Sequence, residues 1–164
     1  MTGEPALQGI RIISVMTAAQ MYDACMQEFP DATIAVMAAA VADYTPAQTA
    51  AEKIKKTGET LPLELKKTRD ILKSLGKIKR TDQVLVGFAL ETNDEKKHAL
   101  AKLENKNADM IVRNSLNDAG AGFGKDTNKV TIFTRDGKEF PFGTKPKQAV
   151  AADITDTIIQ LYYA

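Results

Sequence analysis

The sequence has one cysteine, Cys25, and one histidine, His98. A lone thiol makes neither an intrachain disulfide nor a thiolate metal site. Cys25 shares a helical face with Met21 and Phe29, the setting of a packed core thiol. His98 falls in a predicted helix beside lysines, so neither a multi-histidine metal site nor a serine–histidine triad is expected. No apolar run approaches the roughly 18 residues that span a bilayer, and no signal peptide opens the sequence. A soluble, cytoplasmic protein with no membrane partner is the expectation. A complete phosphate loop is also missing. Ala119 stands where the first glycine of such a loop belongs, in front of Gly120-Ala121-Gly122-Phe123-Gly124-Lys125, and Asp126 replaces its serine or threonine. A strand rather than a helix is predicted to follow, so this reads as a conformationally demanding loop.

What is present describes one domain over 1–164, ordinary in its 44% hydrophobic and 26% charged residues. The net charge of +1 hides an asymmetry: Lys53 to Arg80 holds ten of the 22 basic residues against Glu59, Glu64 and Asp70. Such a patch calls for an anionic partner, a triphosphate, a phosphorylated substrate or nucleic acid. Aromatic residues are scarce in it and no nucleic-acid motif occurs, so nucleic acid is the weakest of the three.

Hydrophobic spacing predicts strands over Arg11 to Val15, Ala32 to Ala38, Gln83 to Ala89 and Met110 to Val112, with an exposed strand over Leu61 to Leu65. Thr17 with Gln20 forms a capping box for a helix to about Phe29. Further helices are expected over Asp70 to Lys79, Asn93 to Asn105 and Pro146 to Tyr162, the last with Val150, Ile154, Ile158 and Leu161 on one stripe. Ala47 to Gly58 reads as a mobile loop. Asp136-Gly137, between Lys129–Thr134 and Glu139–Phe142, signals a hairpin. Alternating strands and helices predict an α/β three-layer sandwich with a mostly parallel sheet and a β-hairpin extension.

The richest segment is Met37-Ala38-Ala39-Ala40-Val41-Ala42-Asp43-Tyr44, followed ten residues after its aspartate by Lys53-Ile54-Lys55-Lys56. Small residues at a strand's carboxyl end let a ligand approach the backbone, where open α/β sheets bind ligands. Asp43 suits a divalent cation or a sugar hydroxyl, and the lysine cluster suits phosphate oxygens. Later come Lys67-Thr68-Arg69-Asp70-Ile71-Leu72, Val86-Gly87-Phe88-Ala89-Leu90-Glu91-Thr92, Lys102-Leu103-Glu104-Asn105-Lys106-Asn107-Ala108-Asp109, Gly120-Ala121-Gly122-Phe123 and Asp126-Thr127-Asn128.

In order and spacing these segments, from about Ile10 onward, resemble the phosphopantothenate–cysteine ligase family of bacterial coenzyme A biosynthesis. That ligase is the cytidylate-forming half of a bifunctional protein whose other half is a flavin-dependent decarboxylase. The resemblance implies a Rossmann-like fold and a CTP-dependent ligase. Its substrates would be CTP, 4′-phosphopantothenate and L-cysteine, joined through an acyl-cytidylate. It implies Lys53 as catalytic residue, assisted by Lys55 and Lys56. Implied nucleotide contacts are Met37, Ala38, Ala39, Asp43, Lys53, Asp70, Ile71, Leu72, Phe88, Lys102 and Lys106, with Mg²⁺ near Asp43. Arg69 joins this stretch where the family usually has proline, losing a fixed φ and adding charge. A homodimer is implied, with the hairpin around Asp136-Gly137 offering apolar strand positions for contact. FMN belongs only with a decarboxylase domain fused or associated upstream.

The family's opening strings, G-G-T-x-E-x-I-D and S-N-x-S-S-G-x-M-G, do not occur here. Met1 to Gln8 resembles the loop that follows them. The chain is therefore expected to correspond to the C-terminal two-thirds of the ligase domain, inactive as it stands. A second reading is a non-catalytic module that binds nucleotide or oligomerises.

Overall fold

The computed structural model describes residues 9–55, 58–91, 95–115 and 126–163. The expectations placed on Met1 to Gln8, on Lys56, on Thr92 and Asn93, and on the glycine-rich 116–125 segment lie outside the described residues.

Helix α1 (Ala18–Glu28) begins at the expected capping box. The Thr17 hydroxyl accepts from the Gln20 N–H at 3.1 Å, and the Gln20 side chain accepts from the Thr17 N–H at 3.1 Å. A turn of 3₁₀ helix at Phe29–Asp31 leads to β1 (Ile34–Met37). A small antiparallel pair follows, β2 (Tyr44–Pro46) with β3 (Leu65–Lys67). Then come α2 (Ile71–Ile78), β4 (Val84–Glu91), α3 (Glu95–Asn105) and β5 (Met110–Ser115). Strands β6 (Thr127–Asn128), β7 (Val130–Thr134), β8 (Glu139–Pro141) and β9 (Lys145–Pro146) precede α4 (Lys147–Tyr162).

The central sheet runs β1-β4-β5-β7-β8; β1, β4 and β5 are parallel, and the β7–β8 hairpin continues the sheet antiparallel. Side chains alternate across it. Leu85, Ile111 and Phe133 pack toward α1, α2 and α3, while Val86, Met110, Val112 and Ile132 pack against Val150, Ile154 and Ile158 of α4. Helices on both faces explain why β4 and β5 read as nearly unbroken apolar runs. This is the expected three-layer sandwich. Cys25 packs with Met21 and Phe29 as anticipated, and burial pushes its thiol pKa up.

The structure departs from the sequence reading in three places. Arg11 to Val15 is not a strand: no described residue pairs with it, and Ile12 (80% exposed) and Met16 (94%) stand in solvent. Next to it in character is β1, which among the described residues pairs with β4 alone and whose Ile34 and Val36 are exposed. The exposed strand expected at Leu61 to Leu65 lies further on, at Leu65–Lys67, because its partner Tyr44–Pro46 sets the register there. The hairpin's apolar residues point inward. β7 is buried throughout, and Phe140 and Phe142 pack partly buried on the α4-side core, so less apolar surface is exposed there than the sequence suggests.

Gly76 has a specific task. A Cβ there would sit 1.8 Å from the Lys106 carbonyl oxygen, so only glycine lets α2 lie this close to the turn after α3. Asn107, at φ 51°, completes that turn and donates from Nδ2 to the Gly76 carbonyl at 2.6 Å. The approach sets the Lys106 backbone against the C-terminal half of α2, from where its side chain reaches Asp70 at the helix start.

Candidate functional site

The parallel strands deliver their carboxyl ends to one side of the sheet, and an open cavity of about 950 Å³ lies there. From the end of β1 it is lined by Met37, Ala38, Ala39 and, further on, Asp43. The β3–α2 junction contributes Arg69, Asp70, Ile71 and Leu72. Phe88 comes from β4, and Lys102 and Lys106 from the α3 side. All of these were anticipated. Lys53 is the exception: it is exposed, in the 47–64 segment between β2 and β3, and does not line the cavity.

Local chemistry fixes this arrangement. Asp70 is the N-cap of α2, its Oδ1 accepting from the Lys73 N–H at 2.9 Å. Its other oxygen pairs with the Lys106 ammonium. Lys102 donates from Nζ to the Phe88 carbonyl at 2.7 Å, tying α3 to the end of β4. Thr68 joins the junction to the alanine-rich segment, donating from its hydroxyl to the Ala42 carbonyl at 2.7 Å and from its N–H to Asp43 at 2.9 Å. Phe88 serves two ends, packing partly on the core while its flank faces the cavity. The result is a cleft with small residues on one wall, a helix N-terminus on another, and lysines around the rim. A cleft of this make-up has the chemistry to hold an anion.

Partial burial alone would raise the Asp70 pKa, but hydrogen bonds from Lys106 and Lys73 and the charges of Lys106 and Lys102 hold it below its ordinary 3.8. Because folding lowers this pKa, its stabilisation is fully present above the unfolded value and is lost as pH falls through the folded one. The stability difference between wild type and Asp70→Asn is therefore expected to hold steady above the ordinary carboxylate range and to shrink as pH falls below it. Urea unfolding across that range checks it; a difference that does not change with pH contradicts it.

Asn114, Asn128 and Lys147 line the cavity without having been anticipated. Asn114 ends β5, and the strand-end rule that pointed to Ala38 and Phe88 applies equally to it. Its Oδ1 is enclosed and accepts no hydrogen bond from a described residue. Asn128 and Lys147 arrive through the β6–β9 pairing, a long-range contact that leaves no local signature. Among the described residues, no group of three or more His, Cys, Asp or Glu side chains is arranged to hold a metal ion. Asp43 alone fits a cation only if a ligand's phosphates supply most of the coordination. Among these residues, too, no helix is long and apolar enough to cross a membrane.

The DNA/pantothenate metabolism flavoprotein C-terminal domain family matches residues 1–162. A prokaryotic protein named cysteine/cysteine sulfinic acid decarboxylase is 47% identical over 162 residues, covering 99% of this chain and 45% of that protein. The coenzyme A biosynthesis bifunctional protein CoaBC of Bacillus subtilis (strain 168) is 44% identical over 149 residues, covering 91% of this chain and 36% of that protein. The chain thus spans less than half the length of either relative. The crystal structure of the C-terminal domain of a CoaBC protein superposes with a TM-score of 0.73 at 33% identity, covering 91% of this chain and 64% of the other.

Proposed function

The chain belongs to the DNA/pantothenate metabolism flavoprotein C-terminal domain family, and on that premise we propose that its cavity binds CTP for phosphopantothenate–cysteine ligation. In this reaction the carboxylate of 4′-phosphopantothenate attacks the α-phosphorus of CTP and pyrophosphate leaves. The amine of L-cysteine then attacks the acyl carbon of the cytidylate, CMP departs, and an amide forms. One observation supports the reading above the rest: every anticipated nucleotide contact except Lys53 converges on one cavity at the strand ends.

In this reading each residue has a role. The backbone of Ala38 and Ala39 lets the nucleotide approach closely. The α2 N-terminus, with Ile71 and Leu72, offers unpaired N–H groups, and Lys102 and Lys106 supply charge for phosphoryl oxygens. Lys53 serves both steps, because negative charge grows first on phosphoryl oxygen and then on a tetrahedral acyl centre. Mg²⁺ would come with the triphosphate and neutralise part of its charge, and Asp43 would help to hold it. We assign the decarboxylase activity in the name of the 47%-identical relative to the part of that protein beyond this chain's span.

We further propose a homodimer. The exposed apolar residues Tyr44, Ile54, Leu61, Leu63 and Leu65 gather on the β2–β3 arm, a surface that calls for cover. Light scattering at micromolar concentration should give twice the chain mass; a strict monomer contradicts the dimer. The nucleotide reading is tested by CTP binding, with preference over ATP. Absence of CTP binding, or equal affinity for both, sinks it. The alternative of a binding module without turnover is separated by cysteine-dependent CMP release from a version of the chain preceded by the family's opening strings.

A further inference from the structure

Three consecutive residues at the mouth of the cavity each reach a different element. Thr68 is bonded to the segment after β1, and Asp70 caps α2 while holding Lys106. Arg69, between them, turns onto α1. Its guanidinium carbon lies 3.7 Å from the centre of the Tyr22 ring, and one of its nitrogens donates to Asp23 Oδ1 at 2.7 Å. We infer that Arg69 is a positioning residue for the cavity: the Tyr22–Arg69–Asp23 clasp fixes the 68–70 turn against α1, and through that turn it sets the α2 N-terminus and the Asp70–Lys106 pair.

The partners argue for a clasp rather than a direct grip on an anion. The Asp23 carboxylate offsets the guanidinium charge and the Tyr22 ring covers one of its faces, which together weaken its pull on an anion. Arg69 and Asp23 are 46 positions apart in sequence, so the contact is tertiary, joining α1 to the turn. Either half alone is weak at a side chain that is 53% exposed. Both act on one planar group, which loses little freedom in making them together. The effect is therefore local: small on global unfolding, larger on opening of the turn.

Amide hydrogen exchange on the unliganded chain tests this directly. Arg69→Ala, which removes both contacts, should speed exchange at the Thr68 and Lys73 amides by about tenfold, and Tyr22→Leu, which removes the stack and leaves the ion pair, by about threefold. The double variant should exchange no faster than Arg69→Ala, since the arginine takes part in both contacts. Tyr22→Phe keeps the ring and should keep the protection. Arg69→Lys keeps the charge but loses the stack, so it should fall between. Unchanged exchange at Thr68 and Lys73 overturns the inference, and so do additive effects. Acceleration spread evenly over the core overturns it too, because the contact would then be a general brace.

A second measurement rests on the nucleotide reading. By calorimetry with CTP and Mg²⁺, Arg69→Ala should weaken binding about fivefold relative to wild type. Unchanged affinity despite a loosened turn would show that the clasp does not position the nucleotide site. A wild-type chain that binds no CTP, with the exchange differences intact, would remove the nucleotide reading and leave the clasp standing.

Discussion

Replacing Lys53 by glutamine is expected to lower kcat for ligation by roughly a hundredfold or more while leaving the unfolding midpoint almost unchanged. The assay uses a version of this chain preceded by the family's opening strings, G-G-T-x-E-x-I-D and S-N-x-S-S-G-x-M-G, supplied with CTP, 4′-phosphopantothenate and cysteine. Lys53 lies exposed outside any helix or strand, so the core loses nothing with it. Under the proposed role, Lys53 lies away from the cavity wall and would meet the reacting phosphate only after moving toward it. A group engaged only then stabilises the transition state more than the bound ground state. kcat should therefore fall much further than the KM for CTP rises. Near-normal turnover in a folded variant would remove Lys53 from the chemistry.

The largest loss of stability is expected from Asp109→Ala, about 3–5 kcal/mol. Asp109 sits where the chain enters β5, at the end of the sheet away from the cavity. Its carboxylate pairs with Lys79, the two side chains only 11% and 8% exposed. Its second oxygen accepts the Leu85 N–H of β4 at 2.8 Å. Truncation leaves a buried ammonium and a buried amide without their acceptor, and charged groups stranded in this way are costly. The double replacement Asp109→Leu with Lys79→Met should recover much of the loss, because it removes both charges. Urea unfolding measures each variant; a cost below about 1 kcal/mol for Asp109→Ala would contradict this account of the pair.

Local chemistry made some of the structure readable in advance. Thr17 and Gln20 announce a helix start because both halves of the capping box lie within one turn. Asp136-Gly137 announces the hairpin because glycine alone takes the left-handed conformation freely, and Gly137 has φ 82°. The strand-end residues around Ala38 and Phe88 were legible because a parallel sheet gathers ligand contacts at one edge. Pairing partners were not. Arg11 to Val15 alternates like a strand, yet a strand is a relation between segments, and no described neighbour completes this one. Tyr44–Pro46 gave no signal because a three-residue strand is defined by its register with Leu65–Lys67. Asn128 and Lys147 reach the cavity by folding back, which spacing along the chain does not encode. The Arg69–Tyr22 stack escaped for the same reason, joining residues that only tertiary packing of α1 on α2 brings together.

The central claim is that the cavity at the carboxyl ends of β1 and β4 is a CTP site. Titrating the isotopically labelled chain with CTP and Mg²⁺, and following its backbone amides by NMR, tests this most directly. The predicted result is saturable shifts at Ala38, Ala39, Asp43, Asp70 to Leu72, Phe88, Lys102 and Lys106, with weaker shifts from ATP and none around Arg135 and Tyr162 at the opposite end. Absence of saturable shifts, or shifts centred on Arg135 and Tyr162, would contradict it.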